Sequence, residues 1–325
     1  MGARITGTGS YVPKKCVTNE QLEDLVDTSH DWIVQRTGIH SRCLLEPDDV
    51  PSDMGVEAAR NALAAAGVQP TDIDLLLVAT NFPDMICPGS APFLAESLGM
   101  ADAPFFDLTA GCSGFVYGAA LADGLIRAQL FSHVLVVGLE ALSRVTDWSD
   151  RRTCVLFGDG AGAALFEAGP ASGGILGSAL FGDAEKALYL HLPGGGTRTP
   201  ASAETVERGD HYLKMEGSGV FRNAAPMMET ATRTALDRAG VSLSDVDWII
   251  PHQANQRIID ALVKRLGITD DRVIVNLDRV ANTSTASIPI ALDEAVRAGR
   301  IHTGDVIVLT AFGAGVTYGA VVLEL

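Results

Sequence analysis

The sequence predicts an α/β protein built from two related halves, and three observations carry that expectation. The first is an internal repeat. Ala58-Ala-Arg-Asn-Ala-Leu-Ala-Ala-Ala-Gly-Val-Gln-Pro-Thr-Asp-Ile-Asp returns as Ala231-Thr-Arg-Thr-Ala-Leu-Asp-Arg-Ala-Gly-Val-Ser-Leu-Ser-Asp-Val-Asp, with Arg60 matching Arg233, Gly67 Gly240 and Asp74 Asp247. The second is an alternation of short apolar runs with amphipathic stretches, which reads as strands joined by crossover helices. The third is composition: 47% hydrophobic but only 6% aromatic, with 34 glycines, suits closely packed α/β layers better than a sandwich or a disordered chain.

Each copy of the repeat predicts a helix, a glycine C-cap, a turn and a buried strand. Ahead of the first copy, residues 5–12 read as a strand and turn. After it, residues 74–79, 104–110 and 133–139 read as strands, with a helix over 116–129. In the second half, residues 248–251, 273–277 and 305–310 read as strands, with helices over 256–266 and 289–298 and a final strand over 320–325. Such alternation predicts largely parallel, buried sheets. The Gly158-Asp-Gly-Ala-Gly-Ala stretch lacks the GxGxxG spacing of a dinucleotide site and reads as a turn between strands. Gly169-Pro-Ala-Ser-Gly-Gly, small and without period, marks a boundary between halves 1–171 and 172–325.

Composition also excludes partners. Five cysteines (Cys16, Cys43, Cys87, Cys112 and Cys154) are odd in number and lack a CxxC pair, which argues against disulfide scaffolds and zinc sites. The seven histidines show no metal-ligand spacing, so no metal is expected. No apolar run approaches the roughly 20 residues that span a bilayer. The N-terminal Met-Gly-x-x-x-Thr pattern falls in a predicted strand and is taken as a chance match to a myristoylation motif. A net charge of −16 argues against nucleic acid or an anionic membrane as partner. A soluble cytoplasmic protein is expected.

Cys112 lies on a predicted strand-to-helix turn, in Thr109-Ala-Gly-Cys-Ser-Gly-Phe. Free N–H groups at a helix N-terminus favour a thiolate, so the turn predicts a thiol shifted down from about 8.5. Taken alone, the turn does not separate a nucleophile from a small packed residue. The repeat adds companions: overlaying the halves sets the Cys112 turn on the Asn282 turn, and the end of the first strand near His252. Parallel strands present their sites at their carboxyl ends. A thiol with an imidazole and a carboxamide is a set for acyl transfer: one nucleophile and two donors for a developing oxyanion. The glycines of Ala311-Phe-Gly-Ala-Gly-Val-Thr-Tyr-Gly would let a backbone amide approach a substrate carbonyl there, or simply form a hairpin turn.

Thr109-Ala-Gly-Cys112-Ser-Gly-Phe, Pro251-His252-Gln-Ala-Asn-Gln-Arg, Asn282-Thr-Ser and Phe312-Gly-Ala-Gly-Val-Thr-Tyr-Gly resemble, in order, the motifs of β-ketoacyl-acyl-carrier-protein synthase III. The resemblance extends to Asp31-Trp-Ile-Val-Gln-Arg-Thr-Gly and Cys154-Val-Leu-Phe-Gly-Asp-Gly-Ala, and so covers essentially the whole chain. It implies the thiolase fold, a duplicated five-layer α-β-α-β-α arrangement with pseudo-twofold-related halves, and a homodimer. It also implies that Cys112 accepts an acyl group from acyl-CoA and that malonyl-acyl carrier protein supplies the extender. His252 and Asn282 would hold the enolate left by decarboxylation, and the amides of Cys112 and Ala314 the oxyanion. Trp32, Arg36, Thr37 and Arg151 would line the coenzyme A tunnel, and no metal or redox cofactor would be required.

Two departures from the family bear on function. Ala314 stands where relatives often carry Gly, with little consequence if only its amide acts. Cys87 precedes Pro88 where well-studied members have Phe, at an acyl pocket completed by the dimer partner; a smaller side chain there predicts acceptance of primers longer than acetyl. Because carrier proteins are acidic, the −16 chain needs a local basic patch. Arg257 and Lys264, on one face of a predicted helix with Arg265 beside them, are the expected docking surface.

Other readings are weaker. A papain-like cysteine hydrolase runs Cys, His and Asn in the same order, but Gly-Cys-Ser-Gly-Phe is not its signature and the duplication is foreign to it. Degradative thiolases carry a second cysteine where Phe312 stands, and elongating synthases a second histidine in place of Asn282. CoA-primed relatives that make quinolones, polyketide starters or long-chain ketones remain open. A non-catalytic interaction protein would have no reason to keep Cys112, His252 and Asn282 together.

Overall fold

In a computed structural model, which describes residues 2–100, 102–170 and 173–325, the repeat becomes two mixed β-sheets packed face to face through buried helices. The first sheet has the spatial order Gly2–Tyr11, Asp159–Gly169, His133–Ala141, Leu75–Ala79, Phe105–Leu108. The second runs Gly174–Gly182, Thr317–Glu324, Val306–Gly313, Trp248–Pro251, which is the same order once the halves are overlaid. Helices Gly114–Arg127 and Ser287–Arg297 fill the space between the sheets, and their apolar faces share one core with both. Helix Pro51–Ala66 covers the outside of the first sheet, and Gly217–Ala239 with Gln256–Leu266 the outside of the second. The result is five layers, α-β-α-β-α. Residues 171 and 172, on which the sequence placed its boundary, lie outside the described residues.

Three expectations need correction. The sheets are mixed: each has an antiparallel strand inserted after its parallel strands, three in the first sheet and two in the second, so Asp159–Gly169 runs against both Gly2–Tyr11 and His133–Ala141. Gly158-Asp-Gly-Ala-Gly-Ala is therefore no turn but the start of a central strand. Its glycines answer a packing demand: a Cβ at Gly162 would lie 2.7 Å from the backbone nitrogen of Ile290, so only glycine lets the buried helix approach this closely. The third concerns residues 273–277, which make a single bridge, Ile249 to Val273, before the chain enters the short helix Leu277–Val280. A side chain replaces the missing ladder: Gln253 donates to the Ile274 carbonyl at 3.2 Å and accepts from the Asn276 N–H at 3.1 Å.

Outside the layers, residues 12–45 form a small lobe with the strand pair Cys16–Thr18 and Ser41–Cys43 and the helix His30–Thr37. The cysteine pattern argued against a disulfide scaffold and pointed to no bond here, yet Cys16 and Cys43 face each other in register and are joined by a single disulfide. Opposition across two short strands, and no sequence spacing, created that pair. No helix among the described residues is long and apolar enough to cross a membrane.

Candidate active site

Cys112 ends the turn after strand Phe105–Leu108, directly before helix Gly114–Arg127. His252 follows strand Trp248–Pro251, its N–H donating to the Thr310 carbonyl at 2.8 Å. Asn282 is held from both sides by the first half: its N–H donates to Leu156 O and its carbonyl accepts from the Gly158 N–H, each at 3.0 Å. All three are buried, and all three line one cleft of about 730 Å³ with Leu156, Phe221, Ala254, Phe312 and Ala314. Strand ends from both halves thus meet where the sequence placed them.

The C-terminal turn forms the wall of this cleft. Gly111 has φ +56°, and a Cβ on it would lie 2.4 Å from the Ala314 nitrogen. A Cβ on Gly313 would lie 2.2 Å from the Cys112 nitrogen. Two glycines therefore let the nucleophile turn and the Gly-rich turn touch backbone to backbone. That contact aims the amides of both Cys112 and Ala314 at the Cys112 sulfur.

The electrostatics differ from expectation in one respect. Burial pushes the Cys112 thiol up to about 11, and hydrogen bonds from Ser284 and the two amides offset this only in part. The helix N-terminus lies where it was expected, but desolvation outweighs it because no cation faces the sulfur. His252 is no imidazolium: burial pushes it down to about 3. Its Nδ1 lies 2.7 Å from Ser287 Oγ, which also accepts from the Gln253 N–H at 3.4 Å. We therefore assign the Ser287 hydrogen to Nδ1 and the ring proton to Nε2. Asn282 Oδ1 accepts from the Ser284 N–H at 2.9 Å, which leaves its amide N–H groups for the cleft. The resting site is a neutral thiol facing neutral donors.

A second cavity, of about 540 Å³, opens on the far side of Cys112 between Phe82, Leu142, Leu190 and Leu213. Sequence reasoning missed it, because its lining comes from four separate segments with no shared motif. In the small lobe, Trp32 is bracketed by the guanidinium groups of Arg36 and Arg151, 5.6 and 5.2 Å from its ring centre. Thr37 departs from its expected place: its hydroxyl is buried, donating to Ile33 O at 2.7 Å and accepting from the Ile39 N–H at 3.0 Å. It thus secures a helix end and presents no free hydroxyl to a ligand. Arg257 shares a surface cleft with Arg36 and lies over the Phe221 ring, and Lys264 is exposed on the same helix. Arg265 is engaged, donating to Glu229 at 2.7 Å. Cys87 is exposed and lines neither cavity of its own chain.

Fold and cleft together define a thiolase-fold acyltransferase of the condensing class. The family models described as 3-oxoacyl-[acyl-carrier-protein (ACP)] synthase III and its C-terminal part match residues 106–184 and 236–325. The β-ketoacyl-[acyl-carrier-protein] synthase III of Caldanaerobacter subterraneus subsp. tengcongensis is 48% identical over 324 residues, covering 100% of this chain and 98% of the relative. The chain belongs to the β-ketoacyl-[acyl-carrier-protein] synthase III family. Among solved structures, the 3-oxoacyl-[acyl-carrier-protein] synthase III of Aquifex aeolicus superimposes with a TM-score of 0.92 at 40% identity, covering 100% of both chains. The priming β-ketosynthase of a polyketide biosynthetic pathway follows with a TM-score of 0.91 at 38% identity, covering 100% of this chain and 96% of that one.

Proposed function

We propose that this chain condenses an acyl-CoA primer with malonyl-acyl carrier protein to give a 3-oxoacyl-acyl carrier protein, the first condensation of fatty-acid synthesis. The observation that carries the reading is the convergence of Cys112, His252, Asn282 and two backbone amides on one apolar cleft. Cys112 Sγ bonds to the acyl carbon, and the coenzyme A sulfur leaves with the thiol proton. The extender then loses carbon dioxide, and His252 and Asn282 donate to the enolate oxygen that results. The enolate carbon attacks the acyl-Cys112 carbonyl, its oxyanion held by the amides of Cys112 and Ala314, and the Cys112 sulfur is expelled. Neutral donors in a desolvated site suit this chemistry, since the negative charge on the enolate and the oxyanion is transient and needs donors already in place. No metal or redox cofactor enters any step.

Trp32, Arg36 and Arg151 would receive the adenine and phosphates of coenzyme A, a planar ring and two guanidinium groups matching a base and its anions. The acyl chain would enter the second cavity. Arg257 and Lys264 would dock the acidic carrier protein, with Arg265 contributing less because Glu229 already pairs with it. A homodimer would join the halves at strand Phe105–Leu108, the open edge of the first sheet, where Phe105 and Phe106 are both exposed. Cys87 would then face the partner's acyl pocket and widen it. The substrates are soluble, so the setting is the cytoplasm.

The test is a panel of acyl-CoA primers, read as acyl-Cys112 by intact mass and then chased with malonyl-acyl carrier protein or malonyl-CoA. Release of 3-oxoacyl-acyl carrier protein from primers of four to eight carbons supports the reading. Preference for free malonyl-CoA would move the enzyme to secondary metabolism, a reading favoured by its likeness to the polyketide priming synthase. Rejection of every primer but acetyl would overturn the role given to Cys87.

A further inference from the structure

Glu140 closes strand His133–Ala141 in the centre of the molecule, fully buried and with no cation beside it. Its Oε1 accepts two hydrogen bonds from Asn81, from the backbone N–H and from the side-chain amide, both at 2.7 Å. Its Oε2 is buried without a partner. The amide nitrogen of Asn81 also reaches Ser284 Oγ at 3.3 Å. A primary amide has two hydrogens, so Asn81 can donate to Glu140 and Ser284 at once. With an N–H on its lone pair, the Ser284 hydroxyl directs its own hydrogen to Cys112 Sγ, 3.4 Å away.

The backbone holds this arrangement against its own preference. Ser284 has φ +51° and Ala281 φ +59°, both in the left-handed region that non-glycine residues rarely occupy. Ser284 is also buried, and its N–H anchors Asn282 Oδ1 at 2.9 Å. One short segment therefore aims two groups into the site, the Asn282 amide and the Ser284 hydroxyl.

We propose that Ser284 is a direct hydrogen-bond donor to the Cys112 sulfur, and that Glu140 is a positioning residue that fixes this donor through Asn81. The sulfur carries charge twice in the reaction: when it gives up its proton to attack the primer, and when the new C–C bond forms and the C–S bond breaks with its electron pair on sulfur. A hydroxyl already aimed at it favours the charged form on both occasions. Burial pushes the Glu140 carboxyl up to about 8. At neutral pH it is therefore chiefly a neutral acceptor; once ionised, its charge holds the Cys112 thiol up, so what it gives the thiolate is the placement of Ser284. Asp159, also buried, pushes Glu140 the same way.

This inference rests on Cys112 as the acyl carrier, so the experiment reads the sulfur itself rather than turnover. Alkylation of Cys112 by iodoacetamide, located by peptide mass, is followed on the full chain from neutral to alkaline pH, where Glu140 is the titratable group that acts on the sulfur and His252 stays neutral. Ser284→Ala is expected to slow alkylation at neutral pH about tenfold and move its midpoint up by about one unit. At neutral pH, where Glu140 carries its proton, Glu140→Met and Asn81→Ala should slow alkylation as much, and Glu140→Gln, which keeps an oxygen for Asn81, should stay within about twofold of wild type. The double variant Glu140→Met/Ser284→Ala should be no slower than Ser284→Ala.

A wild-type profile in Ser284→Ala would overturn the donor. Wild-type profiles in Asn81→Ala and Glu140→Met, additive slowing in the double variant, or equal loss in Glu140→Gln and Glu140→Met would overturn the positioning role. Should Glu140→Met fail to fold, Asn81→Ala decides alone. Failure of acyl-CoA to label Cys112 would count against the proposed function and leave the alkylation result standing.

Discussion

The two halves run through the same strand order and the same strand–turn–helix units, yet corresponding turns receive opposite chemistry. In the proposed reaction the first half delivers the nucleophile, Cys112, before helix Gly114–Arg127. The second delivers donors, His252 after strand Trp248–Pro251 and Asn282 ahead of helix Ser287–Arg297. Their sheet edges diverge as well: Phe105–Leu108 leaves aromatic side chains open, whereas residues 273–274 are covered by helix Gln256–Leu266 and its core. The repeat thus supplies a seam with two sets of strand ends, and the proposed reaction is divided between them. The half that bonds to the substrate should be separable from the half that holds its charge.

The sharpest way to break that division is Cys112→Ala. No acyl adduct should form on intact mass, and condensation should fall by roughly four orders of magnitude or more. Next, His252→Ala and Asn282→Ala should each lower condensation by about two to three orders of magnitude while acylation of Cys112 stays near wild type. Equal loss of both steps would mean that the halves are not divided as described. Gly313→Ala tests the seam itself: displacing a backbone wall by even an ångström costs about a hundredfold, with unchanged circular dichroism.

Acid–base linkage gives a fourth test. Unfolded histidine takes a proton below about 6.5, whereas His252 resists until about 3. Relative to His252→Gln, wild type should therefore lose about 2 kcal/mol of stability as pH falls from 6.5 to 5. Glu140 is the mirror case, holding its proton to about 8 when an unfolded carboxyl has lost it, so relative to Glu140→Gln wild type weakens as pH rises. Urea melts at several pH values check both signs. The smallest effect is at the surface: Arg257→Glu should raise the KM for carrier protein roughly three- to tenfold at low salt and lose that difference at high salt. An unchanged KM would return Arg257 to an ordinary solvated helix face.

What could be read beforehand follows from what sequence encodes locally. Helix Gln256–Leu266 was legible because its apolar period, Asn255 cap and Gly267 stop agree. The convergence of Cys112, His252 and Asn282 on one cleft was legible because the repeat related distant turns. Strand Asp159–Gly169 was misread because its glycines serve a helix that arrives more than a hundred residues later in the chain. The hydrogen bonds by which Asn81 links Glu140 and Ser284 left only a faint sign, an acid closing an otherwise apolar strand in Val-Leu-Val-Val-Gly-Leu-Glu-Ala. Thr37 was placed in the coenzyme tunnel by motif, and local geometry gave its hydroxyl to the backbone instead.

Gly111 and Gly313 touch across the seam although about two hundred residues separate them. The wall that faces the Cys112 sulfur therefore has no local precursor: neither half can build it, and it arises only when both have formed and docked. Contacts this distant in sequence form late, after the loop-closure entropy between them has been overcome. Recovery of Cys112 acylation during refolding should accordingly trail the return of helix and sheet, making the reaction a clock for the last step of assembly.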